Sequence, residues 1–156
     1  MRYEVTFLNG NEELKEKGLK VLKSVEHDLE IMLFPSNVDL KKLIEFTEID
    51  LTNYCLDDLE QLESDINEAL EERFSNYALC FDYVSDVKSP YWRYQIAWGG
   101  PAYEVRFYHD HSIEFVYLDW FVGVGFDVTK SEVFQELKSR LDDLGLFESA
   151  REEALA

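Results

Sequence analysis

The chain has 156 residues, 46% of them apolar and 15% aromatic, with 33 acids against 15 bases and a formal charge of −18. That length suits one domain, residues 1–156, able to bury about 70% of its extended surface without a metal or a disulfide, and the composition excludes a disordered chain. A charge of this sign repels nucleic acid and anionic membranes and attracts basic proteins. No apolar run reaches the ~18 residues of a membrane span, and the opening residues lack the pattern of a secretory signal, so a cytoplasmic protein is expected. Cys55 and Cys80 are expected as buried, unpaired thiols.

In chain order, residues 2–8 alternate with Tyr3, Val5 and Phe7 on one side, a short strand pattern. Asn9-Gly10 signals a turn, and Asn11 is placed to cap a helix whose first turn holds Glu12 and Glu13. Leu14, Gly18, Leu22 and Val25 carry that helix to about His27; the apolar run Leu29–Phe34 fits either the helix end or a strand. Ser36–Glu48 reads as a second helix. The third is the clearest, with Leu56, Leu59, Leu62, Ile66, Leu70 and Phe74 as its apolar stripe and Asp57 with Glu60 resembling a capping box.

Residues 77–84 read as a strand, and Tyr91–Trp120 as a three-stranded antiparallel meander broken by Gly99-Gly100-Pro101 and His109-Asp110-His111. A four-residue turn would pair Tyr94 with Phe107 and Gln95 with Arg106; a three-residue loop would pair Phe107 with Phe115. The expected fold is α+β, an antiparallel sheet of four to five strands packed with amphipathic helices. Lys130–Leu144 is the last strong amphipathic helix, ended by Gly145, and is the expected cover for the apolar residues Val116, Leu118 and Trp120. That stretch is alternatively an interface between two copies. Phe147–Ala156 reads as a short helix or a frayed tail.

The acids are unevenly spread. Residues 47–88 hold 12 acids and 2 bases, more than half of the net charge. On the third helix, Asp57, Asp58, Glu60, Asp65, Glu68, Glu71 and Glu72 lie away from the apolar stripe, with Glu63 beside them and Arg73 as the single base. Like charges three or four residues apart cost about 0.2–0.5 kcal/mol each, and interleaved lysines would have avoided that. Carboxylates one helical turn apart, about 5.4 Å along the axis, approach the scale of phosphates on a nucleic-acid strand, about 3.4 Å of rise apart.

Other chemistry-bearing groups are weaker. His109 and His111 would share one side of a strand, with Asp119 or Glu114 as further metal ligands, but metal sites need three or four placed donors. Glu104, Arg106 and Glu114 fit cross-strand charge pairing better than acid–base catalysis. Trp98-Gly99-Gly100-Pro101 is a tight turn flanked by aromatics, and a candidate binding edge. No phosphate loop, dinucleotide fingerprint or nucleophile elbow is present, so no cofactor and no enzymatic activity is expected.

The segments FDYV at 81–84, YWRYQIAWGGPAYEVRFY at 91–108 and IEFVYLDWFVG at 113–123 resemble a family of small, acidic proteins encoded on plasmids and phages. The resemblance implies residence on a mobile element and no reaction. Strongly acidic proteins of such elements include nucleic-acid mimics that inhibit restriction or CRISPR complexes. The functional expectation is therefore a nucleic-acid mimic that binds a basic, nucleic-acid-handling defence protein, with no direct nucleic-acid or membrane contact. An immunity protein against a basic toxin and, behind it, a small metal-dependent hydrolase using the histidine tip are the alternatives.

Overall fold

The computed structural model describes residues 3–156; position 2 of the first expected strand lies outside them. The elements run β1 (Val5–Leu8), α1 (Glu12–Leu33), α2 (Leu40–Thr47), α3 (Leu59–Ser75), β2 (Cys80–Val84), β3 (Tyr91–Ala97), β4 (Ala102–Tyr108), β5 (Ile113–Asp119), β6 (Val122–Asp127), α4 (Glu132–Asp143) and α5 (Leu146–Leu155). The class is α+β with one six-stranded antiparallel sheet, ordered β1-β6-β5-β4-β3-β2. That is at least one strand more than the sequence suggested. The addition is β6, where Gly123 and Gly125 hide the usual strand alternation.

Asn11 caps α1, its side chain accepting from the Leu14 amide at 3.0 Å. The ambiguous run Leu29–Leu33 belongs to this helix, which ends at Phe34 because Pro35 follows and disfavours helical geometry in the residue before it. α2 is shorter than expected: Pro35–Asn37 is a separate 3₁₀ turn, and Glu48 stops the helix in a left-handed conformation at φ 58°. The C-terminal segment is no frayed tail. Gly145, at φ 72°, turns the chain from α4 into α5.

Both expected registers are off by two residues. Tyr94 faces Val105 and Gln95 faces Glu104, with a bulge between Gln95 and Ala97; Phe107 faces Ile113 and Val105 faces Phe115. A two-residue slip keeps every side chain on its face, so the alternation pattern cannot detect it.

One face of the sheet carries Phe107, Phe115, Val124 and Phe126, all at most 1% exposed. α1 packs over β5 and β6, and α5 over β2 and β3. Phe134 and Leu137 of α4 join the same apolar cluster. α4 therefore does not cover Val116, Leu118 and Trp120, which belong to the opposite face and its turn: an amphipathic pattern states that a helix buries a stripe, not which surface receives it. Val116 is fully buried all the same, between cross-strand neighbours Glu104 and Gly125, and belongs to neither apolar cluster. Behind α1 lies a second, smaller cluster in which Leu62, Ile66 and Leu70 of α3 meet Ile31 of α1 and side chains of α2. The layers run from sheet to α1, α4 and α5, and then to α2 and α3. Among the described residues, no helix is long and apolar enough to cross a membrane.

Candidate functional site

α3 is an outer-layer helix. Its stripe of Leu62, Ile66 and Leu70 is buried and fixes which side faces solvent. The stripe is shorter than the sequence implied: Leu56 is 94% exposed and Leu59 is 66% exposed, because the helix begins only at Leu59. The expected capping box of Asp57 with Glu60 is not made. Asp58 stands at the N-cap position without a side-chain cap, and its Oδ2 accepts from the Cys55 amide at 2.8 Å to close the preceding turn.

The seven acids picked from sequence separate into two groups. Asp65 is half-buried, not free: it accepts a hydrogen bond from the Tyr54 hydroxyl and another from Gln61 Nε2 at 2.8 Å. The bond to Asp65 pushes the Tyr54 phenol above its ordinary value. Asp58 is likewise partly covered, whereas Asp57, Glu60, Glu68, Glu71 and Glu72 are exposed, together with Glu63. Glu60 to Glu72 spans ~18 Å at ~1.5 Å per residue. Among the described residues none of these carboxylates forms an ion pair. The one base on the helix, Arg73, turns away to Glu48 at 3.1 Å and lies over the Phe46 ring.

The histidine tip is a tight turn. Asp110 accepts from the Ser112 amide at 2.9 Å and from its hydroxyl at 2.6 Å, which holds the Asp110 carboxyl below its ordinary value. His111 sits at φ 72°. Both histidines line one cleft, but through the turn after β4 and not through strand alternation, since β4 ends at Tyr108; Glu114 and Asp119 do not join them. Glu114 is on the opposite face, accepting from Tyr108 at 2.8 Å, and Asp119 is at the other end of β5. His109 Nε2 is 2.7 Å from the Tyr83 hydroxyl, and His111 Nδ1 is 3.3 Å from Lys138 Nζ. No group of three His, Cys, Asp or Glu side chains among the described residues is placed to hold a metal.

The sheet face without helices is polar and layered. Arg106 lies across from Glu114 and bonds Glu104 at 2.9 Å, and its guanidinium stacks over Tyr91 at 4.5 Å. The ion pair thus runs along β4, from Arg106 to Glu104, and not across strands to Glu114 as expected; with Glu104 2% exposed it is also largely buried, not solvated. Arg93 pairs with Asp82 on β2 at 2.6 Å. Gln95 Oε1 accepts from the Cys80 thiol at 3.3 Å, while Gln95 Nε2 is buried without a partner among the described residues. Both cysteines are unpaired but exposed, not buried as expected; partial desolvation of the sulfur against the sheet still pushes the Cys80 thiol upward. At one end of the sheet the turns expose Trp98, Trp120 and Phe121.

Sequence reasoning missed the hold of Tyr54 on Asp65, since Tyr54 lies in a connection with no regular pattern. It also missed Lys138 beside His111, which only the placement of α4 brings together. Compared with protein-family models, curated proteins and solved structures, the chain matches none.

Proposed function

We propose that the protein binds a basic, nucleic-acid-handling protein through the outer face of α3 and occupies its nucleic-acid groove, as an inhibitor of restriction or CRISPR machinery carried on a mobile element. The observation that carries this reading is the set of exposed carboxylates Glu60, Glu63, Glu68, Glu71 and Glu72, which form no ion pair among the described residues. Unpaired like charges at this spacing oppose the helix by about 0.2–0.5 kcal/mol per pair. Presented together over ~18 Å, they offer a basic groove a line of negative charge comparable in pitch with a phosphate backbone. The mobile-element origin rests on the sequence resemblance alone.

The test is affinity capture from the host lysate by the native protein and by the E68K/E71K/E72K variant, with mass spectrometry to identify what is retained. A basic nucleic-acid-binding protein held by the native chain and lost by the variant is the expected result, and the complex should dissociate as salt screens exposed charge over about 8–10 Å. Equal retention by both proteins removes α3 from the interface. A basic toxin as the captured protein replaces inhibition with immunity.

A further inference from the structure

The cleft beneath the β4–β5 turn has a chemistry unlike the rest of this surface. Its volume is about 500 Å³, within the range of small-molecule sites. Trp92, Phe107 and Phe147 form its apolar side, and His111, Lys138 and Asp142 its polar side. The wall is rigidly assembled: Trp92 Nε1 donates to the Phe147 carbonyl at 2.8 Å, and the two rings meet edge to face at 5.3 Å. His109 lies against Trp92 with ring centroids 4.5 Å apart.

In a chain with 33 acids and three histidines, two of those histidines and a lysine gather at this one cleft. Lys138 Nζ approaches His111 Nδ1 at 3.3 Å, and neither side chain forms an ion pair with a carboxylate among the described residues. An ammonium only donates, so Nδ1 accepts and the imidazole proton sits on Nε2. The pair thus keeps several N–H donors and a positive charge beside an aromatic wall. Asp142, one turn beyond Lys138 on α4, supplies an acceptor on the same cleft.

We propose that this cleft binds a small molecule that joins a planar ring to an anionic group. The anion takes the Lys138–His111 donors, the ring lies along Trp92 and Phe147, and an N–H on the ring meets Asp142. Mononucleotides and aromatic carboxylates share this chemistry. The proposal does not depend on the reading of α3.

Titration calorimetry of the full chain with AMP and with indole-3-acetate tests it, with adenosine and inorganic phosphate as controls. At least one ring-plus-anion probe should bind with Kd below about 1 mM, and each control should bind at least about tenfold more weakly. AMP alone binding names a nucleotide site; indole-3-acetate alone binding names an aromatic carboxylate site. The K138A/H111A variant, altered at the rim of the cleft, should lose at least about tenfold in affinity with its circular dichroism unchanged; should it unfold, K138Q/H111N carries the same test. No binding of either probe, adenosine binding as tightly as AMP, or unchanged affinity in the variant overturns the proposal.

Discussion

Gly18 of α1 lies directly on Val124 of β6: a Cβ added at position 18 would fall 2.9 Å from Val124 Cγ1 and 3.0 Å from Phe126 Cε2. Both partners are buried to within 1%, so neither can swing aside. Glycine inside a helix costs about 1 kcal/mol relative to alanine, and that cost is tolerated here because it brings helix and sheet into contact. G18A should therefore destabilise the protein by about 1–3 kcal/mol despite its better helix propensity. G18A/V124A should recover part of the loss. Urea midpoints of the three proteins decide this, and a stabilised G18A contradicts the packing described.

The acids of α3 should separate by their contacts. D65A removes the acceptor for Tyr54 and Gln61 and should cost about 1 kcal/mol. E68Q and E72Q relieve repulsion between exposed carboxylates and should leave stability unchanged or raise it by a few tenths of a kcal/mol, about the size of one such pair. Thermal unfolding of the three single variants reads the difference directly.

Glu104 and Arg106 should behave as a buried pair. R106A leaves the Glu104 carboxylate buried and uncompensated and should cost about 3–5 kcal/mol. E104M/R106M removes both charges and should recover most of that loss. If R106A costs no more than an exposed pair, under about 1 kcal/mol, the face is more solvated than its geometry indicates.

Alkaline pH should weaken the fold through its tyrosines. Burial, then the facing carboxylates, push Tyr3 (beside Glu26) and Tyr108 (beside Glu114) up to about 12. The folded state thus holds protons that the unfolded chain releases near pH 10. Their contribution is fully present below pH 10 and is lost as pH rises from about 10 through about 12. Urea midpoints measured across that window should fall, and Y3F/Y108F should fall less steeply.

Much of the architecture was legible where one period was clean. The α1 stripe, the Asn11 cap and the core-facing residues of the meander all follow from spacing, because burial on one side enforces it. Register did not follow, since Tyr94 presents the same face whether it opposes Val105 or Phe107. β6 escaped because Gly123 and Gly125 lack the side chains that betray a strand; each lies under a neighbour, Leu118 and Glu114 respectively. The acidic face of α3 was visible as charge, but which acids are free depended on Tyr54 and Gln61, and contact between distant segments leaves no periodic trace. His109 and His111 reach the cleft through the turn after β4, which strand alternation does not describe; its Lys138 side was hidden because α4 gives no sign of which surface it joins.

The pairing of β1 with β6 sets an order on synthesis. Val5 finds its partner in Phe126, and Leu8 in Gly123, so the strand of this sheet that is made before the other five is the last to be paired. Until β6 emerges, α1 has only part of the surface it will cover, and β1 remains an unsatisfied edge. The meander from β2 to β6 is built from neighbours in sequence and can form as it appears, whereas closing β1 onto β6 carries the loop entropy of nearly the whole chain. The β1 edge is thus the part of this sheet that stays unpaired longest during synthesis, and it offers a template for mispairing until β6 arrives.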